Sequence, residues 1–241
     1  MSKLLLFRHA QASFMKANYD QLSELGYKQS SVLGEHLVNE GVKFDKIYVG
    51  PLKRHLQTFE EVRIAYQNKG IELPKPIILQ ELIEHRAPQI LRKIYDELIQ
   101  KHEILKKWHD LGEADPKLHK KYHLKIFNHF VKLWATNRMI VAHPQELENW
   151  FTFRINVLKA LQQILAENGQ GVTVGAFTSG GTISAATGHI LEMTNEERII
   201  ELNGCVKNTS ISECYFSDGH LTLSAFNTVP HLTDKDLITY I

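Results

Sequence analysis

The sequence predicts an α/β fold of three layers, with helices on both faces of a mainly parallel sheet and a helical cap. Short apolar runs typical of strands alternate with helical patterns in the N-terminal part of the chain and again in the C-terminal part. Between them, residues 86–168 carry long helical stretches, the chain's three tryptophans and few β-branched runs. We interpret this part as an insertion in one domain of residues 1–241, covering the ligand-binding edge of the sheet.

Apolar runs, and a glycine that favours the end of a helix, predict the N-terminal elements. Residues 4–7 are large and apolar without alternation, which predicts a strand buried on both faces. Apolar residues at helical spacing predict a helix from about residue 22 to residue 40, where Gly41 favours its end. A second strand is predicted near residues 45–49, and a second helix at about 53–67.

The C-terminal part returns to this alternation. A strand is predicted at 172–178, a helix at 182–191, and two β-rich runs at 210–216 and 220–226. Asp218 and Gly219 lie between the two runs, and because both residue types tolerate the positive φ of a tight turn, they predict a β-hairpin.

Length, charge and cysteine content exclude several classes of protein. A chain of 241 residues is long enough for one substantial core, and a net charge of +1 gives no bias toward nucleic acid or membranes. Two cysteines are too few for a disulfide framework or a zinc site. The N-terminal apolar run is too short for a signal peptide, and no stretch has transmembrane length. We therefore expect a cytoplasmic protein.

The first predicted strand runs directly into Arg8 and His9, at the sheet edge where open α/β folds bind ligands. A guanidinium beside an imidazole suits a phosphoryl group, since the fork holds two oxygens while the ring nitrogen attacks phosphorus. The alternatives are a histidine at the solvent edge of a strand, or a metal ligand. No His-Glu-x-x-His or paired-cysteine motif supports metal, so we expect neither a metal nor an organic cofactor.

Two further motifs carry a resemblance to a known family. The second predicted strand is followed by Gly-Pro-Leu-Lys-Arg-His-Leu-Gln-Thr at residues 50–58, and residues 79–84 read Leu-Gln-Glu-Leu-Ile-Glu. With Arg8-His9, these resemble the histidine phosphatase superfamily, which includes the cofactor-dependent phosphoglycerate mutases. The family pattern is Arg-His-Gly, then Ser-Pro-Leu-x-Arg-(Ala)-x-Gln-Thr, then Leu-x-Glu. The resemblance covers about residues 3–84 and 172–232.

The resemblance implies a role for each matching residue. His9 would become a phosphohistidine, Arg8 and Arg54 would clamp the phosphate, and Glu84 would donate a proton to the leaving group. Ala10 replaces the glycine of Arg-His-Gly, which is a small change if φ at this position is negative.

One family residue is missing. The family has a second histidine in a Ser-His-Gly-Gly run after a late strand, where it donates a hydrogen bond to the phosphoryl oxygens. Here the equivalent run is Thr-Ser-Gly-Gly, so Ser179 takes that position, and the chain resembles a subgroup that lacks the second histidine.

Ser179 has two alternative roles. A serine between a strand and a glycine-rich turn can be a hydrolase nucleophile, but the elbow needs a small residue two positions earlier, and Phe177 stands there. Alternatively, Gly180, Gly181 and Thr182 present free N–H groups at a helix start, which bind anions, and Ser179 adds a neutral donor for phosphate.

Three other histidines are candidates to compensate for the missing one. His231 follows the last predicted strand, where tying down the C-terminal tail is the simpler role. His55 and His85 adjoin Arg54 and Glu84, and the sequence leaves open whether either reaches the site.

The predicted function is a phosphatase that hydrolyses a small phosphomonoester through a phosphohistidine. The alternative is a catalytically weak or inactive protein of the same fold that binds a phosphorylated ligand. Phosphoglycerate mutase is less favoured, because Gln-Ala-Ser-Phe-Met at residues 11–15 replaces the mutases' Glu-Ser-x-Trp-Asn. A serine hydrolase is also less favoured. We expect a small phosphorylated substrate, neither nucleic acid nor membrane as partner, and allow for a homodimer.

The insertion is basic. Residues 101–138 contain nine lysines and arginines, five histidines and only four acidic residues. We expect this stretch to select the substrate and to favour a second negative charge on it, with Lys117, Lys120 and Lys121 contributing. The alternative is a solvated basic face.

Overall fold

The computed structural model describes residues 1–13 and 20–240, and its centre is a six-stranded sheet. The strands are β1 (Ser2–Arg8), β2 (Lys46–Val49), β3 (Ile77–Ile78), β4 (Thr173–Thr178), β5 (Ile211–Ser217) and β6 (His220–Thr228), in the spatial order β3-β2-β4-β1-β5-β6. The first four run parallel, and β5 and β6 extend the sheet as an antiparallel hairpin beside β1. The predicted α/β class and mainly parallel sheet are confirmed.

Helices connect the strands and cover both faces. They are α1 (Glu24–Asn39), α2 (Lys53–Gln67), α3 (Ala87–Lys101), α4 (Glu103–Ala114), α5 (Pro116–Ala135), α6 (Trp150–Ala166), α7 (Gly180–Ile190) and α8 (Glu196–Asn203). Short 3₁₀ turns occupy Gln80–Leu82, Pro144–Glu146 and Lys235–Leu237. Helix α7 begins two residues earlier than the sequence predicts. None of the helices among the described residues is long and apolar enough to cross a membrane.

Local chemistry explains where these elements begin and end. The Ser23 hydroxyl accepts a hydrogen bond from Gly26 N and caps the start of α1. The helix ends before Gly41, whose φ of 65° an L side chain rarely adopts. At the predicted hairpin, Asp218 and Gly219 have φ values of 50° and 80°, the positive pair that a tight turn between twisted strands requires.

Strand β1 divides the core into two halves. Leu5 and Phe7 point to the side covered by α1 and α2, where Phe7 stacks on Phe177 of β4 at a centroid distance of 4.7 Å. Leu4 and Leu6 point to the opposite side, into a larger core that α3 to α8 help to form. Because both faces of β1 are buried, its apolar residues do not alternate with polar ones.

Helices α3 to α6 occupy the predicted insertion. The carboxylate of Asp115 accepts from Lys117 N and caps α5, so α4 and α5 are separated by this single residue. Trp134, in the last turn of α5, and Trp150, at the start of α6, lie against His85 with centroid distances of 5.3 and 6.3 Å. The insertion thus meets the rest of the fold beside Glu84.

His231 holds the C-terminal segment to the body of the protein. Its side chain is buried, with Nε2 2.9 Å from the Thr209 hydroxyl and the ring 5.8 Å from that of His36 on α1. Burial, together with the nearby His36, lowers the pKa of His231 to about 4. These contacts favour the role of holding the C-terminal tail. Among the described residues, they connect His231 to His9 through Thr209, whose N–H donates to His9 O at 3.4 Å.

We expect His231 to make folding stability depend on pH. Its pKa falls from 6.5 to about 4 on folding, so the unfolded chain binds more protons between these values and stability falls as pH decreases from 6.5 to 4. The loss from this residue by about pH 4.5 is about 2–3 kcal/mol. In His231→Gln, urea unfolding measured at about pH 7 and about pH 4.5 should show a smaller pH effect by that amount. The exposed His220→Gln serves as control, and equal pH effects in wild type and His231→Gln would contradict the assignment.

Candidate active site

His9 follows β1 directly and is held in one orientation. Its Nδ1 lies 2.7 Å from the carbonyl oxygen of Ala10, and its Nε2 lies 3.1 Å from Arg54 Nε. Because a carbonyl only accepts and a guanidinium only donates, Nδ1 carries the proton and Nε2 carries the lone pair. The nitrogen that can attack an electrophile is therefore Nε2.

The surroundings of His9 keep the imidazole neutral. Its side chain is 5% exposed, and burial is the main reason why its pKa lies well below 6.5. The charges of Arg54 and Arg8 lower the pKa further, and His55 contributes in the same direction. His9 is consequently in its nucleophilic form at neutral pH.

Arg54 connects His9 to the carboxylate of Asp20, which no motif of the sequence indicates. Arg54 is buried in the first turn of α2. Its Nε donates a hydrogen bond to His9 Nε2, and its Nη1 donates one to Asp20 Oδ1 at 2.8 Å. The other oxygen of Asp20 accepts from Lys53 N at 3.0 Å. Carboxylates and phosphates both fit the guanidinium fork, so Asp20 marks a direction in which Arg54 can hold an anion.

Arg8 is buried beside the start of α7. Its Nη1 donates to the carbonyl oxygens of Val206 and Tyr240, and a Cβ on Gly180 would lie 3.4 Å from its Nε. The arginine therefore fixes the C-terminal segment and also approaches the glycine predicted to bind phosphate. Phosphate contact by Arg8 and Gly180 stays a prediction.

Glu84 reaches the N-terminus of α7. Its Oε2 accepts from Gly181 N at 3.1 Å, and its Oε1 accepts from its neighbour His85 N at 2.9 Å. A Cβ on Gly181 would lie 2.1 Å from Oε1, so only glycine leaves room for the carboxylate. The sequence analysis predicts that Gly180, Gly181 and Thr182 present free N–H groups for an anion. This is wrong for Gly181, because its N–H already donates to the Glu84 carboxylate at the positive end of the helix dipole.

His85 supports Glu84 from behind. The residue is 6% exposed and is surrounded by aromatic rings of the insertion. Its Nε2 lies 3.0 Å from the side-chain amide nitrogen of Asn203 and 3.5 Å from Glu84 Oε1. Asn203 ends α8. Nothing in the sequence distinguishes it from any other asparagine at the end of a helix, so sequence reasoning does not assign it to the site. His85 therefore contacts Glu84, the residue that the resemblance implies as proton donor.

Ser179 and His55 form a buried pair. Ser179 is the residue before α7, but its hydroxyl makes no hydrogen bond to that helix and lies 2.6 Å from His55 Nε2. Neither side chain is exposed to solvent, and the rings of His55 and His9 are 5.6 Å apart. Burial disfavours Ser179 as a hydrolase nucleophile, and its contact with phosphate stays a prediction.

The lysines of the insertion lie away from these residues. Lys117, Lys120, Lys121 and Lys125 line an open groove of about 570 Å³ in the first half of α5. At 1.5 Å per residue, Lys121 is about 20 Å along the helix axis from Trp134, which contacts His85. The expectation that Lys117, Lys120 and Lys121 attract substrate at the site is not supported, and a solvated basic face fits their position better.

The segment at residues 11–15, which we compare with the phosphoglycerate mutases, is described only in part. Its last two residues, Phe14 and Met15, lie outside the described residues. Across residues 1–13 and 20–240, the structure contains no group of three histidine, cysteine or acidic side chains arranged to hold a metal ion.

Comparison with known proteins identifies the class of this chain. The model of the histidine phosphatase superfamily (branch 1) matches residues 4–123 and 84–229, and the chain belongs to this family. Among curated proteins, no sequence matches.

Solved structures share the fold at low sequence identity. Phosphoserine phosphatase from Entamoeba histolytica, solved with 3-phosphoglyceric acid, is 18% identical, with a TM-score of 0.63 over 96% of this chain and 100% of that one. Alpha-ribazole phosphatase from Shigella flexneri is 17% identical, with a TM-score of 0.60 over 94% and 96% of the two chains. Phosphoglycerate mutase from Bacillus anthracis is 16% identical, with a TM-score of 0.63 over 96% and 95%.

Replacing Arg54 by lysine should weaken the binding of orthophosphate or orthovanadate. Lysine keeps the charge but cannot contact His9 and a second acceptor with one planar fork. Loss of one charge-assisted hydrogen bond costs about 1.5–3 kcal/mol, or roughly ten- to a hundredfold in Kd. Titration calorimetry measures the change. The control is Arg63→Lys on the same helix, where the arginine pairs with Glu60, and equal affinities in Arg54→Lys and wild type would exclude the assignment.

Neutralising Lys117, Lys120 and Lys121 together, each to glutamine, should leave kcat/KM for anionic substrates within about twofold of wild type. Exposed charges are screened beyond about 8 Å at physiological ionic strength, which is less than their separation from the site. Steady-state assays with singly and multiply charged phosphomonoesters test this. A selective loss for the multiply charged substrates would restore a role for the basic face.

Proposed function

We propose that this protein is a phosphatase that hydrolyses a small phosphomonoester through a phosphohistidine at His9. The observation that carries the proposal is the buried, neutral His9, whose Nε2 lone pair is directed at the Arg54 guanidinium. For Nε2 to attack phosphorus, the Arg54 N–H turns from the ring nitrogen to a phosphoryl oxygen, which leaves the lone pair free beside a planar cationic donor. Membership of the superfamily supports the same class of chemistry.

The first chemical step forms the bond between Nε2 and phosphorus while the ester P–O bond breaks. The electron pair of that bond leaves on the alcohol oxygen, and Glu84 in its protonated form donates the proton that the oxygen needs. Arg54 and Arg8 offset the charge on the non-bridging phosphoryl oxygens. The proton stays on Nδ1 of His9 and is donated to the Ala10 carbonyl oxygen, which stabilises the positive charge that develops on the ring.

The second step releases the enzyme. Glu84, now a carboxylate, accepts a proton from a water molecule whose oxygen attacks phosphorus. The N–P bond breaks, its electron pair returns to Nε2, and orthophosphate leaves. His85, which Asn203 contacts, would hold the Glu84 carboxyl in position during both steps.

The alternative function is binding of a phosphorylated ligand without turnover, and the serine at position 179 favours it. Removing one preorganised donor costs roughly 10²–10³ in rate, or about 3–4 kcal/mol. Acceleration of phosphate-monoester hydrolysis by enzymes is larger than this by many orders of magnitude. We therefore favour a slow phosphatase over an inactive protein.

The names of the structural neighbours support phosphoryl transfer without fixing the substrate. Two are phosphatases and one is a mutase. The residues that follow Arg8-His9 favour hydrolysis over the mutase reaction. The cytoplasmic location, the small phosphorylated substrate, the absence of nucleic-acid and membrane partners, and a homodimer remain predictions from the sequence.

His9→Ala should abolish hydrolysis of p-nitrophenyl phosphate and the formation of an acid-labile phosphoenzyme, because the variant has no nitrogen to accept the phosphoryl group. The assay uses wild type, His9→Ala and the exposed His220→Ala with this ester and a panel of phosphometabolites, and a ³²P-labelled ester is used to trap the intermediate. Activity in His220→Ala should equal wild type. Full activity in His9→Ala would exclude the mechanism, and orthophosphate binding without turnover in wild type would favour the alternative function.

A further inference from the structure

A glutamine lies on the face of α1 that packs into the core. Gln29 is fully buried, on the same helix face as Leu33 and Leu37, where helical spacing favours an apolar residue. A buried side-chain amide costs free energy unless its hydrogen bonds are made. An amide at this position therefore has to be explained by its hydrogen-bond partners.

Gln29 holds the peptide group that contacts His9. Its Oε1 accepts a hydrogen bond from Gln11 N at 2.8 Å. This N–H belongs to the same planar peptide group as the Ala10 carbonyl, which accepts from His9 Nδ1 at 2.7 Å. Because the N–H and the C=O of a trans peptide point in opposite directions, Gln29 and the His9 ring contact the two ends of one rigid group. Gln29 is thus linked to the nucleophile through the backbone.

The other end of the Gln29 amide is bound to the C-terminal segment. Its Nε2 donates to Leu237 O at 2.7 Å and to the hydroxyl oxygen of Thr239 at 2.9 Å. The orientation of the amide follows, because Gln11 N only donates and Leu237 O only accepts. The C-terminal segment therefore keeps the Oε1 atom of Gln29 directed at Gln11.

Thr239 extends these bonds to Asn208 and back to His9. The hydroxyl of Thr239 donates to Asn208 Oδ1 at 2.8 Å, and Asn208 N donates to Thr239 O at 2.9 Å. Asn208 is fully buried, and its Nδ2 donates to His9 O at 3.1 Å. A closed ring of hydrogen bonds results, because the backbone connects His9 to Gln11. Its side-chain members are Gln29, Thr239 and Asn208, and each donor and acceptor in it is used in one consistent direction.

The turn that carries Asn208 is held in an unusual conformation. The next residue, Thr209, is fully buried and has a φ of 56°, which a β-branched side chain rarely adopts. Its hydroxyl donates to Asn208 O, and His231 Nε2 lies 2.9 Å from the hydroxyl oxygen. Strain of this kind persists only where the surrounding structure imposes it, and it is concentrated at functional sites. Here the turn directs both Thr209 N and Asn208 Nδ2 at the carbonyl oxygen of His9.

Helix α1 approaches the loop after β1 closely because residue 26 is glycine. A Cβ on Gly26 would lie 2.1 Å from Gln11 O, so any other residue would push α1 away from the loop. Ser23 N also donates to Gln11 O at 3.0 Å. Gln29, three residues after the glycine, consequently reaches Gln11 N at hydrogen-bond distance.

We propose that Gln29 is a positioning residue for His9, on which it acts through the Ala10 carbonyl. Thr239 and Asn208 complete the ring of hydrogen bonds that keeps Gln29 in this position. The C-terminal segment is thereby coupled to the nucleophile through the Gln29 amide. The inference rests on the proposed function in taking His9 as the nucleophile.

The Ala10 carbonyl matters most while His9 reacts. Arg54 favours the lone pair on Nε2 as long as it donates to that nitrogen. When its N–H turns to a phosphoryl oxygen, the bond from Nδ1 to the Ala10 carbonyl is what keeps the proton on Nδ1 and fixes the direction of the ring. A carbonyl held in place by Gln29 therefore keeps Nε2 unprotonated and correctly directed when phosphorus approaches.

The Nδ1 proton of His9 provides a measurement that is independent of turnover. In protein labelled with ¹⁵N-histidine, a proton held on Nδ1 by a short hydrogen bond gives a downfield NMR signal that exchanges slowly with water. The signal of His9 is identified by its loss in His9→Ala. In Gln29→Met, the new side chain fills the space without an acceptor for the loop. We expect the His9 signal to move upfield and to exchange about tenfold faster in this variant, because the carbonyl is no longer held.

Kinetics with p-nitrophenyl phosphate separate positioning from binding. In Gln29→Met, kcat should fall about tenfold, the effect of one hydrogen bond of ordinary strength, while KM changes less than about twofold. Thr239→Val opens the ring but keeps the bond from Gln11 to Gln29, so it should cause the same changes to a smaller extent. Thr239→Ser keeps the hydroxyl and should restore the NMR signal and kcat. The control is Thr228→Val, which loses a hydroxyl bond to Ile211 O in the β-hairpin and should leave both unchanged.

The outcomes distinguish this proposal from a purely structural role and from failure of the proposed function. Thermal unfolding shows which variants keep the fold, and if Gln29→Met does not, the comparison of Thr239→Val with Thr239→Ser decides. An unchanged His9 signal in the folded variants overturns the proposal, as does a wild-type His9 without a proton on Nδ1. A loss that Thr239→Ser shares with Thr239→Val also overturns it, because packing of the segment would then be the cause. If wild type forms no phosphohistidine, the proposed function fails, while the NMR signal still decides the role of Gln29.

Discussion

The pairing of β1 with β4 is the constraint on which the site depends. Because the strands are parallel and Arg8 is opposite Thr178, both chains leave the sheet at the same edge. His9 N donates to Thr178 O at 2.8 Å and continues this pairing one step beyond the strand. A shift of one residue would turn His9 to the other face and separate it from the start of α7. The stacked rings of Phe7 and Phe177 hold the register on the apolar side.

Burial gives the site its chemistry as well as its shape. His9 and His55 lie in the interior beside arginines, and both rings are held neutral by desolvation and by the positive charge. Neutral histidines next to cationic donors are suited to a dianionic ligand, which supplies the missing negative charge. The carboxylates of Asp20 and Glu84 accept hydrogen bonds from Arg54 and from Gly181 N at the start of α7.

The insertion contributes to the site through packing rather than through its charge. Trp134 and Trp150 surround His85, which in turn approaches Glu84, so the helical cap contacts the proposed proton donor through His85. The basic residues of α5 lie toward the opposite end of that helix. Substrate selection by the cap would therefore act on the shape of the space near Glu84.

The sequence by itself determined the α/β class, the order of the elements outside the insertion except for β3 and α8, and the family. Strand burial and turn chemistry are local properties, and the motifs of residues 8–9, 50–58 and 79–84 are specific. It also placed His9, Arg54 and Glu84 at one edge of the sheet. Only the tertiary structure decided which residues meet across long separations: Asp20 with Arg54, Asn203 with His85, and His55 with Ser179, which lie 124 positions apart. The same limit explains the wrong expectation for Gly181, and it explains why the spacing of the lysines did not show where they lie relative to the site. The spacing of apolar residues determines which face of a helix is buried. The direction in which the helix crosses the sheet, and the residues that it contacts, follow from packing of the whole core.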